Sequence, residues 1–163
     1  GLQDLLDAIL LDRSADPAML AGAFLSEGFP DAKAALDGAR DILAEGLSED
    51  AGLLGRLRDH MRKAGRLVAR VLPGKEAAGA KFSDYFAHAE DFSRVPSHRA
   101  LAMFRGRNEE VLTLDLEVDA ETPRGASPAE LACAAALGAG SAGPGDRWLK
   151  DAAAWAWRVK LKT

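Results

Sequence analysis

Apolar residues recur at helical spacing over most of the chain, and polar capping residues stand in front of several of these stretches. Such short polar side chains accept hydrogen bonds from the free N–H groups of a first helical turn, and proline fits that turn. Helix starts are therefore predicted at Asp16-Pro17, Pro30-Asp31, Ser48-Glu49-Asp50 and the capping box Ser127-Pro128-Ala129-Glu130. The pattern predicts a mainly α, multihelical fold.

One segment departs from the helical period. Residues 111–118 alternate strictly, with Leu112, Leu114, Leu116 and Val118 on one face, which predicts one short strand or hairpin. An isolated strand is not stable, so its partner is either the stretch around residues 66–72 or chain that this sequence does not contain. The same stretch is predicted to form the end of a long helix from Ser48 that lasts until Leu72, where Pro73-Gly74 must stop it.

Three shorter elements complete the expected order. A helix is predicted near residues 76–88, and a second from Ser97 to about Arg105, with Ser97 as its cap. A glycine-rich connector at 138–145 then precedes a last helix from near Asp146, which carries three tryptophans. Divided by these features, the chain is expected to comprise four parts: 1–72, 73–118, 119–145 and 146–163.

The predicted long helix separates its apolar and basic residues. At 100° per residue, one face collects Leu53, Leu57, Met61 and further apolar residues. The opposite face collects six cations, Arg56, Arg58, Arg62, Lys63, Arg66 and Arg70, with Asp59 as the one acid among them. Such a stripe is either a solvated helix face or a surface for phosphate or an acidic partner, and the pattern leaves both open.

Composition supports a helical protein, and the charge distribution changes the picture of its surface. The 163 residues include 33 Ala and 23 Leu against 6 Val and 2 Ile, a balance that favours helix. The formal net charge is −4, yet residues 56–107 carry 12 basic and 5 acidic side chains, a net +7, and the rest of the chain carries −11. This asymmetry indicates a basic face for polyanions beside an acidic portion.

Catalytic, metal and cofactor sites are not expected. Asp84 and His88 could share a helix face but lack further ligands, and Ser97-His98 lacks a third, orienting group. Cys133 lies among alanines as a small core residue, while His60 projects at the apolar edge of the long helix, where a packed or partnered histidine is expected. A single cysteine is typical of reducing cytosol, and no apolar run reaches the roughly 20 residues needed to cross a bilayer.

The chain resembles the N-terminal half of the Tex family of bacterial transcription accessory proteins over nearly its whole length, most densely between residues 74 and 109. The likeness is carried by Gly74-Lys75-Glu76, Gly79-Ala80-Lys81-Phe82, Asp84-Tyr85-Phe86, His88 and Pro96-Ser97-His98-Arg99-Ala100-Leu101-Ala102-Met103-Phe104-Arg105-Gly106-Arg107-Asn108-Glu109. It implies a piece of a longer protein, upstream of a YqgF-like domain, and a start at Gly1 rather than Met agrees with that expectation.

The resemblance implies a non-enzymatic scaffold segment of a nucleic-acid-binding protein, with RNA or DNA contacted chiefly through other domains. The candidate residues for an auxiliary polyanion surface are Arg99, Arg105, Arg107, Lys75 and Lys81, together with Arg56, Lys63, Arg66 and Arg70 of the basic stripe. The alternative is a docking module, in which these arginines bind carboxylates of other domains of the longer protein or of the transcription machinery.

Overall fold

The computed structural model describes residues 1–119, 122–123 and 126–162, and the chain divides into two compact units. The first contains residues 1–57 and the chain from Thr122 onward; the second contains residues 58–121. Helices dominate, and the strands form one small sheet, so the predicted mainly α class is confirmed. The loop expected at 119–126 lies partly outside the described residues.

The described residues of the first unit form helices and connecting turns, without a strand. Its elements are α1 (Leu2–Leu11), α2 (Pro17–Ala21) with a 3₁₀ turn (Gly22–Phe24), α3 (Ala32–Ser48), the first half of α4 (Ala51–Ala64), α6 (Pro128–Ala136), α7 (Pro144–Ala156) and a π-helical turn (Trp157–Leu161). Helix α3 packs against α1 and α7, and α6 packs against α7. Buried alanines on α3 and α7, including Ala35, Ala39 and Ala153, leave room for the helices to approach closely.

The predicted helix starts in this unit are confirmed by their capping hydrogen bonds. Asp16 accepts from the backbone N–H of Ala18 at 3.0 Å, and Asp31 accepts from that of Ala34 at 2.8 Å. Asp50 and Ser127 do the same for α4 and α6, at 3.0 and 3.1 Å respectively. Each cap satisfies an N–H group that the helix itself leaves without a partner.

Arg13 fastens the glycine-rich connector to the end of α1. Its guanidinium donates to the carbonyl oxygens of Leu137, at 2.9 Å, and of Gly138, and it lies 3.7 Å from the Asp146 carboxylate. The backbone N–H of Asp146 donates back to the Arg13 carbonyl at 3.2 Å. Gly145 permits this approach, because a Cβ there would lie 2.6 Å from that carbonyl oxygen. The connector is thus held at both of its ends.

The second unit is an antiparallel sheet with one helix and one 3₁₀ helix on its core face. Its elements are the second half of α4, β1 (Arg66–Val71), a 3₁₀ helix (Ala80–Tyr85), β2 (Ala87–Asp91), a 3₁₀ turn (Phe92–Arg94), α5 (Ser97–Asn108) and β3 (Leu112–Glu117). Strand β1 is central, and the order is β2-β1-β3. Arg66 pairs with Asp91 on one side and with Glu117 on the other, which fixes both registers.

The two faces of this sheet differ in chemistry, because residues opposite one another on neighbouring strands share a face. Leu67 and Ala69 of β1 lie with Leu112 of β3 in a core that also contains Phe82 of the 3₁₀ helix and Met103 of α5. The other face carries five charged residues, Arg66, Arg70, Asp91, Asp115 and Glu117. The sheet therefore has one buried face and one mixed-charge face.

The prediction of a helix continuing to Leu72 is wrong, and the open alternative, a strand around 66–72, is confirmed. Helix α4 ends at Ala64, and residues 66–71 form β1, the partner of the predicted strand at 111–118. The pattern misled because a spacing of four places Arg66 and Arg70 on one side of either a helix or a strand. The β-branched residues Val68 and Val71 favour the strand, where two neighbours supply hydrogen bonds.

Two further local predictions are wrong. Residues 76–88 form a short 3₁₀ helix and the start of β2, because the edge of β1 needs a strand partner there. The predicted helix from Ser97 is present and extends to Asn108, but its N-cap is Pro96, whose carbonyl accepts from the N–H groups of Arg99 and Ala100 at 3.1 Å. Ser97 is the first residue inside α5 and does not cap it.

The packing of α5 against β3 depends on Gly106. A Cβ at this position would lie 2.5 Å from Leu112 Cδ1 and 3.3 Å from Phe82. We therefore expect Gly106→Ala to destabilise the protein by about 1–3 kcal/mol in urea denaturation, because the core must shift to accept a methyl group. Gly55→Ala on α4 is the matched control, since its Cβ would meet nothing within 4 Å; it should stabilise by about 0.5–1 kcal/mol. Equal effects of the two changes would contradict this account.

Candidate functional site

The basic stripe predicted on the long helix is shorter in the structure, because α4 ends at Ala64 and Arg66 and Arg70 lie on β1. Arg58, Arg62 and Lys63 are exposed on the part of α4 that belongs to the second unit. Asp59 lies 3.5 Å from Arg62, while no ion-pair partner of Arg58 or Lys63 occurs in the described part of the chain. Arg56 is exposed on the part of α4 that belongs to the first unit. We call Arg58, Arg62 and Lys63 the α4 stripe.

The two β1 cations of the candidate set are engaged in ion pairs across the sheet. Arg66 Nε lies 3.9 Å from Asp91 on β2, and the Arg70 guanidinium donates to Glu117 on β3 at 3.0 Å. Both pairs are partly exposed and sit on the mixed-charge face. A phosphate at this face would have to compete with carboxylates, which weakens the case for Arg66 and Arg70 as polyanion contacts.

Lys75 and Lys81 line one cavity of the second unit. Its volume is about 340 Å³, and Ala78, Glu109 and Val111 complete its wall. Lys81 donates to Glu109 at 2.9 Å, whereas Lys75 is exposed in the turn that follows β1. Two of the predicted cations are therefore brought together, but a carboxylate accompanies them.

Arg99 belongs to a partly buried polar network between α5 and β2. Its Nε and Nη2 donate to Glu90 Oε2 and Oε1 at 3.2 and 2.6 Å, the two-pronged geometry typical of an arginine–carboxylate pair. His88 Nε2 lies 3.0 Å from Glu90 Oε2, and the Tyr85 ring meets the His88 ring edge-on at 5.5 Å. The hydrogen bonds from Arg99 and His88 hold the pKa of Glu90 below its usual range. Arg99 thus joins helix to sheet.

Arg105 and Arg107 are exposed near the end of α5, in a setting that differs from that of the other cations. The Arg107 guanidinium lies 5.0 Å from the centre of the Phe104 ring. The Phe104 and Leu101 side chains are themselves exposed, by 39% and 65%. These arginines therefore flank apolar surface.

The charge asymmetry of the sequence is largely cancelled within the second unit. Residues 58–121 contain eleven basic and eleven acidic residues, because six acids follow residue 107. Three of these acids pair with the basic stretch: Glu109 with Lys81, Glu117 with Arg70 and Asp119 with His60. These partners are not evident from the sequence because tertiary folding, and not proximity along the chain, brings them to the cations.

The histidines, the cysteine and the aspartate considered above for chemistry are placed as follows. His60 Nε2 lies 2.7 Å from Asp119 Oδ2, so the predicted partnered histidine is confirmed. Cys133 is fully buried, as expected for a core residue, and burial raises the pKa of its thiol to about 11. Asp84 and His88 do not share a helix, since His88 lies on β2. The described residues hold no group of three or more potential metal ligands and no helix able to span a bilayer.

Fold and surface together define a helical module with a small sheet, whose candidate chemistry lies in exposed cations. The family described as Tex central region-like matches residues 12–163. The chain is 47% identical over 166 residues to Protein YhgF of Escherichia coli. It is 45% identical over 175 residues to Protein tex of Bordetella pertussis. It is 42% identical over 161 residues to the Transcriptional accessory protein Tex of Neisseria gonorrhoeae. These matches cover 99–100% of the chain and 21–22% of the relatives. The chain therefore belongs to the Tex family.

The Glu90 network predicts a pH-dependent contribution of Arg99 to stability. In the folded state the pKa of Glu90 lies below that of a glutamate in the unfolded chain, about 4.3. The ionised Glu90 therefore stabilises the fold at pH values above about 4.3, and this stabilisation is lost as the pH falls through the lowered pKa of the folded state. Arg99→Gln should lower the thermal unfolding midpoint by a few degrees at pH 7 and by much less near pH 3. Arg94→Gln, at an exposed arginine just before α5, is the control; a pH-independent effect of Arg99→Gln would refute the assignment.

Proposed function

We propose that this chain is a non-enzymatic scaffold segment of a Tex-like, cytosolic transcription accessory protein, and that it offers an auxiliary basic surface to RNA or DNA. The single observation that supports this surface is the α4 stripe, which has three exposed cations and one neighbouring acid, Asp59. Arg70, Lys81 and Arg99 already bind carboxylates at 3.0 Å or less. Outside α5, the stripe is therefore the cationic surface with the least internal competition.

The chemistry of the stripe limits what it can recognise. Lysine and arginine neutralise phosphates, and a convex helix face has no pocket to distinguish bases, so contact should be independent of sequence. The second unit also has no excess of basic over acidic residues, which removes long-range attraction. Weak, salt-sensitive binding that assists a stronger site elsewhere is the role that fits.

A non-enzymatic role is supported by the surroundings of the reactive side chains. The thiol of Cys133 is buried and held protonated at neutral pH by its raised pKa. His60 and His88 are engaged with Asp119 and Glu90 at 2.7 and 3.0 Å. We include in the proposal that this segment needs no metal or cofactor.

Docking is the second candidate function, and α5 favours it. Arg105 and Arg107 share their helix with the exposed side chains of Leu101 and Phe104. A surface that combines apolar and guanidinium groups suits a protein partner better than a phosphate backbone.

The α4 stripe can be tested with a fluorescein-labelled 20-nucleotide single-stranded RNA and a 20-base-pair DNA duplex. We expect dissociation constants of roughly 10⁻⁴ to 10⁻⁵ M at 50 mM salt and a slope of log K against log salt of about −2 for three neutralised phosphates on the single strand. Changing Arg58, Arg62 and Lys63 together to Gln should weaken binding at least tenfold and flatten the slope.

The matched control changes Arg66 and Arg70 to Gln, two exposed cations that are already ion-paired. It should alter affinity by less than about threefold, because those guanidinium groups are not free to bind phosphate. Losses in proportion to the three and two charges removed would mean that only net charge matters. Absence of binding by the unaltered chain at 100 micromolar would remove the surface altogether.

A further inference from the structure

Helix α5 presents an apolar pair on its solvent side. Leu101 and Phe104 stand one helical turn apart, so their side chains are neighbours on the helix surface. Leu101 is 65% exposed and Phe104 is 39% exposed. The core side of the same helix is occupied by Met103 and Gly106, which are buried. The pair is not part of the buried core cluster of the second unit.

Positive charge surrounds this pair. His98 and Arg105 lie one turn from Leu101 on either side along the helix, and Arg107 lies 5.0 Å from the Phe104 ring. Residues 92–108 contain four arginines and one histidine and no aspartate or glutamate. Of the four arginines, Arg99 alone has a carboxylate partner among the described residues. We call Leu101, Phe104, Arg105 and Arg107 the α5 face.

We propose that the α5 face docks an acidic amphipathic helix of another protein, which deepens the docking role named under the proposed function. Apolar residues spaced by one turn on such a helix would cover Leu101 and Phe104, and its flanking carboxylates would accept hydrogen bonds from Arg105 and Arg107. Arginine and aromatic residues are enriched at the centres of protein interfaces, which is the composition here.

Charge and shape select this occupant over nucleic acid. A phosphate backbone would pair with the arginines but would leave the Leu101 side chain exposed to water. The apolar stripe of a partner helix would cover that side chain and remove it from water. The patch is small compared with a stable interface, so the complex should be transient, with a dissociation constant of about 10–100 micromolar. Leu131, which is 54% exposed on α6 and directly follows Glu130, serves as the apolar control.

The test uses fluorescence anisotropy with an 18-residue peptide probe built from glutamate and leucine, its leucines spaced three and four apart to form one helical stripe. A second peptide has the same composition in an order that disperses the leucines. The chain should bind the striped peptide at least tenfold more tightly than the dispersed one. Leu101→Ser should weaken binding at least fivefold, and Arg105→Glu at least tenfold.

Two matched variants serve as controls: Leu131→Ser removes an exposed leucine from α6, and Arg58→Glu reverses a charge on the α4 stripe. Both should bind the striped peptide within twofold of the unaltered chain, and a melting curve confirms that each variant folds. Because the RNA assay depends on the α4 stripe, docking and nucleic-acid binding can fail independently.

Several outcomes would overturn the proposal. If the chain bound the two peptides equally, charge alone would account for the attraction. If the chain did not bind the striped peptide at 1 millimolar, the α5 face would not be a docking site for such a helix. An RNA probe that loses tenfold affinity on Phe104→Ser would assign the face to nucleic acid. Concentration-dependent dimerisation in analytical ultracentrifugation that Leu101→Ser abolishes would assign it to a second copy.

Discussion

The second unit depends on the pairing of β1 with strands on both sides. This central strand supplies Leu67 and Ala69 to the core and holds β2 and β3, which are separated by twenty residues of chain. Its antiparallel registers also decide which charges meet: Arg66 lies opposite both Asp91 and Glu117, and Arg70 reaches Glu117. The distribution of cations over the surface is thus a consequence of strand pairing.

The basic residues of the second unit fall into two groups, those that form ion pairs with carboxylates and those that do not. Arg66, Arg70, Lys81 and Arg99 hold strands, loops and helix together through ion pairs. The α4 stripe and the α5 face retain cations without such partners in the described chain. A surface of neutral overall charge can therefore still carry two local basic regions, one purely polar and one mixed with apolar side chains.

Sequence reasoning succeeded at most local signals, although the predicted cap at Ser97 is wrong. The N-caps at Asp16, Asp31 and Ser127 could be predicted because each cap acts within three residues, and the alternation at 111–118 identified β3. It failed at 66–71, where a spacing of four suits helix and strand alike and only the distant partners β2 and β3 decide. Contacts between segments distant in the chain also hid the acids Glu109, Glu117 and Asp119, so the basic stretch resembled a free surface.

The buried thiol of Cys133 has a practical consequence. With no accessible surface and a pKa of about 11, it is nearly unreactive toward maleimides at neutral pH, and it is the one cysteine in the chain. A cysteine introduced at an exposed position can then be labelled selectively without first removing a native thiol. Spectroscopic probes can be placed on α4 or α5 with the core of the first unit left intact.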